Sequence, residues 1–428
     1  MRSKQIKRPA PLLRRRSTRK RSKNSPQHSP RQQLPRVLFL ANSEHGQTNL
    51  ILALTHELLV RGDIDVHIAS FPNLAPRLEK VLQDNVFRYD AAHRSRIHFH
   101  PISGPTNSEA FARTGKRSIC HPPGYGGALK GFQSLFEELW AWSEEDYLQV
   151  YHSSLDIVHA VGPSNVIVDW FFPQGRDAAY NAGHAATVLY TTSLSHVVYG
   201  LQPNAAWAWK FPMPGTDFPY PLPWSSIPSN AKAVMEAAKI YRRSGRQREI
   251  REWRMKHHIQ GRFPFADAWR PDRFHLTPGL QELDWPFEVP DNVLPCGPIL
   301  LPVAPVKVQD PALYRWLHKA PTILVNLGTL YAPDPHVARN IAAALRTFLD
   351  AWTGSSALQV LWKLPKDAQD CDHVYEEAVE LLHPEIKTDS IRIQPWFEVD
   401  PLAMLETGQI ICSVHHGGAN SWYEAIQY

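Results

Sequence analysis

Cysteine is scarce: Cys120, Cys296, Cys371 and Cys412 are the four in 428 residues, widely spaced and without a C-x-x-C pair. That pattern argues against a disulfide framework or a zinc ribbon and favours free thiols in a reducing compartment. No apolar run reaches the roughly eighteen residues of a membrane-spanning helix, and the amino terminus has no apolar stretch of the signal-peptide kind. A cytoplasmic protein is therefore expected, with no transmembrane segment. Acidic residues are missing from the start of the chain, the first being Glu44. Thirteen of the 46 basic residues fall between Arg2 and Arg36, so the formal charge of +5 misdescribes the rest, where 33 basic residues face 41 acidic ones. The part able to fold is acidic.

The tail 1–34 is Arg, Lys, Ser and Pro with almost nothing to bury, and disorder is expected there. A nuclear-localisation patch around Arg14 to Lys23 and weak nucleic-acid or anionic-lipid binding are its functional readings; a solvated extension is the plain one. No specific nucleic-acid partner is expected. Prolines are plentiful, 37 in all, and cluster at Pro203–Pro228 and Pro286–Pro311, which marks irregular connections.

Outside these clusters the apolar pattern alternates. Arg36 to Ala41 reads as a strand, and Leu50, Leu54 and Leu58 recur at helical spacing up to Arg61-Gly62. Strands follow at Asp65 to Ser70, Ile97 to Phe99, Asn165 to Val168 and Ala186 to Tyr190, with helices at Asn73 to Leu82 and Gln174 to Ala182. A second alternating set begins at Thr322 to Leu327 and continues through strands Leu358 to Lys363 and Ile391 to Ile393. Such alternation implies parallel sheets with helices on both faces. Trp207, Trp209, Phe211, Met213, Phe218, Tyr220 and Trp224, interleaved with prolines, predict a rigid aromatic wall. The basic stretch Ala231 to Lys256 reads as a helix with a solvated charged face.

The last fourteen residues, from His415 to Tyr428, are the most specific. The run Gln409 to Val414 predicts a buried strand, two glycines follow, and Asn420 and Ser421 open a helix. Backbone N–H groups at such a corner can approach an anion, His416 can donate to a phosphate oxygen, and Glu424 can accept from ribose hydroxyls. The spacing H-x-G-x-N-S-x-x-E resembles the nucleotide-sugar signature of family-one glycosyltransferases. The resemblance covers roughly Pro35 to Tyr428 and implies an α/β fold of the GT-B type, two Rossmann-like domains with parallel sheets, the C-terminal one incomplete. The expected division is 1–34 as tail, 35–285 as the acceptor-binding domain, 286–310 as linker and 311–428 as a partial nucleotide-sugar-binding domain. In the family the signature runs on through a G-x-P turn to an Asp-Gln pair that the chain lacks, so a truncated sequence is expected.

The same resemblance assigns roles. The loop after the first strand carries the family's catalytic His; aligned on Gly46 that position is Gln47, which cannot take a proton and is placed instead at the acceptor. His45, or its neighbour Glu44, is the substitute base. Asp169, at a strand end, is the orienting carboxylate, and Asp177 matches a further helix position. Gly328 and Thr329 resemble a loop near the diphosphate, and Trp396 the indole that stacks on uracil. Val399 stands where the family has a ribose-contacting Gln. With His416, Gly418, Asn420, Ser421 and Glu424 these residues make the donor site, and Trp207 and Trp209 line the acceptor side. No metal or cofactor is expected, the UDP-sugar being a co-substrate. The implied activity is inverting transfer of a hexose, most often glucose in this family, to a small apolar hydroxylated acceptor. A UDP-sugar-binding or regulatory protein without turnover is the rival that Gln47 and Val399 favour, and a UDP-sugar epimerase is a second.

Overall fold

Strand β1 (Arg36–Leu40) shows why this sequence builds parallel sheets. Val37 and Phe39 pack into one apolar cluster with Leu50, Val66 and Ile68, while Leu38 and Leu40 enter another with Val150, Val158 and Val166. A strand buried on both faces carries no polar alternation, and none is seen in Val-Leu-Phe-Leu. In this computed structural model residues 34–83, 89–115, 121–262, 272–329, 331–354, 357–365 and 375–428 are described, with the backbone alone for 136–139. The tail expectation and Cys120 and Cys371 lie outside the described residues.

Within the compact unit Pro35–Tyr428, β2 (Asp65–Ser70), β3 (Ile97–Pro101), β4 (Asn165–Asp169), β5 (Thr187–Leu189), β6 (His275–Thr277) and β7 (Val293–Pro295) join β1 in a parallel sheet ordered β3-β2-β1-β4-β5-β6-β7. The order reverses between β2-β1 and β4, which opens a crevice at the carboxyl ends of β1 and β4. A second parallel sheet, β10-β9-β8-β11, is built from β8 (Thr322–Asn326), β9 (Gln359–Lys363), β10 (Ile391–Gln394) and β11 (Ile410–His415). Its faces are filled by Ile323, Val325 and Trp362 on one side and by Leu324, Leu361 and Trp316 on the other.

Several sequence expectations change. The segment 286–310, expected as a linker, contains β7, the edge strand of the first sheet; its three residues are too few to show a period. The run Gln409 to Val414, expected to be buried, is the half-exposed edge strand β11, paired on one side only, with Ile411 51% exposed. The helix 231–256 is two, Ile227–Arg243 and Gly245–Lys256, parted at Ser244, whose hydroxyl caps the second by accepting from Gln247 N. Nor is its charged face wholly solvated. Arg246 donates to the carbonyls of Trp140 and Trp142. Arg254, 5% exposed, forks onto the buried Asp177 with two bonds of 2.8 Å, and Tyr147 donates its hydroxyl to the same carboxylate at 2.7 Å. Asp177 is thereby a structural ion-pair partner, far into the core.

Candidate active site

At the carboxyl edge of the second sheet the strand register sets Asn326 of β8 beside Lys363 of β9, Gln394 beside Lys363, and His415 of β11 beside Asn326. The residues that follow these strands form the site. Gly328 takes φ +89°, a left-handed conformation that favours glycine, and its N–H donates to Asn326 Oδ1 at 3.2 Å. A Cβ there would stand 2.8 Å from His416 Cε1, and one on Gly418 would collide with the same ring. Both glycines therefore exist to seat His416. Burial, helped by His415 and Lys363, holds that imidazole below its ordinary pKa, so it is neutral with one N–H to give.

Gly418 precedes the helix Ala419–Gln427 and supplies no side-chain cap, leaving first-turn amides open to an anion. Asn420 donates its amide to Gly46 O at 2.8 Å, which ties this helix to the loop after β1. Glu424 faces Asp400 across a cavity of about 10 Å³ that Asn49, Leu301 and Asn420 also line. Burial first, and then the Asp400 charge, push the Glu424 carboxyl up to about 7. Asp400 caps the helix Pro401–Leu405 by accepting from Leu402 N, and burial raises it too, with Arg77 and Lys80 opposing. Thr329 is exposed and Ser421 half-buried beside this corner.

The first sheet contributes the loop Asn42–Gly46. His45 begins the helix His45–Arg61, and its ring meets Trp396 edge-on with centroids 6.0 Å apart. Burial, Arg77 and Lys363 lower its pKa to about 4. Glu44 is engaged elsewhere, accepting from Ser108 N at 3.0 Å and Ser108 Oγ at 2.6 Å. Asp169 ends β4 only 1% exposed; its Oδ1 accepts from Phe171 N at 2.9 Å, the backbone N–H of Asn42 also favours its charged form, and Oδ2 has no hydrogen-bond partner among the described residues. Desolvation lifts its pKa to about 7 against those two amides. His45 and Asp169 are not in contact: the imidazole looks to the second sheet, the carboxylate holds the loop from beneath. Gln47 is half-buried with Oε1 unpaired.

Of the two residues expected at the acceptor, Trp207 is half-buried and its carbonyl accepts from Tyr199 Oη at 2.6 Å, while Trp209 is 47% exposed with Nε1 bonded to Asn204 O. Of the rest of the aromatic wall, Phe211 and Met213 are core and Phe211 and Tyr220 pack on Trp285 and Phe287, whereas Trp224 is 87% exposed and belongs to no wall. Val399 is likewise core, 4% exposed beside Leu361 and Met404. Sequence reasoning missed Lys363, Arg77 and Asp400. The available signal for Lys363 was the one that revealed Asp169, a lone charge closing an apolar strand.

Two parallel sheets whose carboxyl edges share one cleft define a GT-B fold, and solved structures match it. Medicago truncatula UGT71G1 complexed with UDP-glucose gives a TM-score of 0.56 at 12% identity over 92% of this chain and 78% of that one. A UGT transferase from Siraitia grosvenorii in complex with UDP gives 0.54 at 18% identity, covering 92% and 79%. No family model matches the chain. Glycosyltransferase sdnJ of Sordaria araneosa is 35% identical over 406 residues, which are 91% of this chain and 77% of that protein. The chain thus belongs to the glycosyltransferases, and is a transferase enzyme by that membership. Among the described residues no helix is long and apolar enough to cross a membrane.

Proposed function

We propose that the protein transfers a hexose, glucose in the first instance, from a UDP-sugar to a hydroxyl of a small apolar acceptor, with inversion at the anomeric carbon. Residues 311–428 bind the donor and 35–285 the acceptor, while 286–310 adds the edge strand β7 to the first sheet before the chain crosses to the second. The observation that carries this is His416 seated between Gly328 and Gly418 at the open start of a helix, with Asn420 and Glu424 on the same corner. Neighbours solved with UDP and UDP-glucose support the donor. The two described free thiols, Cys296 and Cys412, suit a cytoplasmic setting.

In the reaction the acceptor oxygen bonds to the anomeric carbon as the bond to the diphosphate breaks, and the electron pair leaves with UDP. His416 and the helix amides meet the leaving charge, with Thr329 and Ser421 in reach of the same oxygens. His45 takes the acceptor proton. Its depressed pKa makes it a weak base in the free protein, but an arriving diphosphate opposes the cations that lower it and brings it nearer working pH. Asp169 positions the loop that carries His45, Trp396 stacks on uracil, and Gln47, Trp207 and Trp209 face the acceptor.

Calorimetry tests the donor site. His416→Ala and Glu424→Ala are each expected to weaken UDP at least about tenfold, the size of one lost charged hydrogen bond. Gly328→Ala should do the same indirectly, by pressing on the His416 ring. Because Glu424 titrates near 7 and accepts ribose hydroxyls as the carboxylate, UDP affinity should rise from pH 6 to 8 with release of a proton. Glu424→Gln should flatten that rise. UDP affinity indifferent to His416 and Glu424 would overturn the assignment. A second reading, donor binding without turnover, is favoured by the separation of His45 from Asp169; UDP binding with no UDP release on any phenolic or lipid alcohol would establish it.

A further inference from the structure

Lys363 carries a charge that the fold does not explain. It closes β9 in the middle of the carboxyl edge of the second sheet, between Asn326 and Gln394, and is 4% exposed. Among the described residues its ammonium has no hydrogen bond and no carboxylate partner; Nζ lies 4.7 Å from the centroid of the Trp396 ring. A desolvated ammonium is costly unless something pairs with it. Its field also reaches both imidazoles of the cleft, since it helps hold His45 and His416 below their ordinary pKa values. Beside Trp396, and within electrostatic reach of His45 and His416, stands a cation that has no counter-ion among the described residues.

We propose that Lys363 binds the diphosphate of the donor, its ammonium pairing with the phosphate oxygens that His416 and the first amides of the helix Ala419–Gln427 also face. This rests on the UDP-sugar reading and adds to it the residue that neutralises the leaving group. As the anomeric C–O bond breaks, the electron pair settles on the diphosphate, and the fixed positive charge stabilises it without a proton transfer. The stacking Trp396 and the pairing Lys363 would then be held together by their cation–π contact, which aligns uracil and phosphate subsites.

Titration calorimetry on the full chain with UDP and with uridine, for wild type, Lys363→Met and Lys363→Arg, tests this. Lys363→Met should weaken UDP about ten- to a hundredfold, the range for a charged hydrogen bond, and uridine less than about threefold. Lys363→Arg should recover most of the loss. Equal weakening of UDP and uridine would mean that the lysine only supports the indole, and unchanged UDP affinity would remove it from the site; either result overturns the proposal. A second measurement needs no variant. Burial lowers the free ammonium to about 8, so pairing with a phosphate must raise it, and UDP binding at pH 8.5 should take up protons, seen by comparing buffers of different ionisation heat. No uptake would count against the pairing. If wild type binds neither UDP nor uridine, the donor reading itself falls, a different result from wild type binding UDP and the methionine variant matching it.

Discussion

Arg254→Met should lower the unfolding free energy by about 3–5 kcal/mol, the penalty for leaving one member of a buried ion pair alone. Arg254 and Asp177 have side chains only 6% and 4% exposed, joined by two bonds of 2.8 Å. Methionine fills much of the space but leaves the Asp177 carboxylate with the Tyr147 hydroxyl as its remaining side-chain donor. Desolvation already raises the Asp177 pKa against the pull of Arg254, so removing the guanidinium leaves a buried carboxylate without its counter-charge. Urea midpoints at pH 7 provide the measurement. The double variant Asp177→Asn with Arg254→Met should regain a good part of the loss, because the stranded charge is gone. A single variant as stable as wild type would mean that the pair contributes nothing net. Donor affinity should stay unchanged in folded samples, since this network joins helices of the first half away from His416.

The alternation of apolar runs made the fold legible, because parallel strands buried on both faces must be continuously apolar: β1, β4, β8 and β9 could be read directly. β6 and β7 could not, each having three residues, too short for a period to show. Nor could β11 be recognised as an edge, since Ile410 to Val414 has a core composition and only pairing decides its exposure. The gathering of the glycines, His416, Asn420 and Glu424 at one corner was legible for a different reason. Gly328, His416, Gly418, Asn420 and Glu424 lie near strand ends, where topology places ligands whatever the details of packing. What sequence did not reveal was contact across the two halves, His45 against Trp396 and Asn420 on the Gly46 carbonyl, or the approach of Lys363 to the Trp396 ring within the second. These depend on how separate segments meet. Arg254 failed for a related reason, a charged run looking solvated until Asp177 is found beneath it.

Asp169→Asn should make the protein more stable at pH 8 by something on the order of 4 kcal/mol, and hardly change it at pH 4. The wild-type carboxyl is 1% exposed, with Oδ2 unpaired, and desolvation lifts its pKa from 3.8 to about 7. In the unfolded chain the group ionises near its ordinary value. Between the two values the folded state keeps a proton that the unfolded state has lost, so each rise in pH favours unfolding through that window and the effect levels off above about 7. At 1.36 kcal/mol per unit the interval gives the stated size. Asparagine keeps the shape and cannot ionise. Urea unfolding of both forms at pH 4, 6 and 8 should show wild type falling away from the variant with pH; parallel curves would sink the argument. Transfer should move the other way, with kcat falling at least about tenfold, because the neutral amide holds the Asn42 loop and hence His45 less firmly than a carboxylate accepting two amides. A side chain whose removal strengthens the fold and weakens the reaction cannot be there for packing. Its ionisation near neutral pH would then be what the loop beneath the acceptor requires, and the pH–rate profile should lose one ionisation near 7 in the variant.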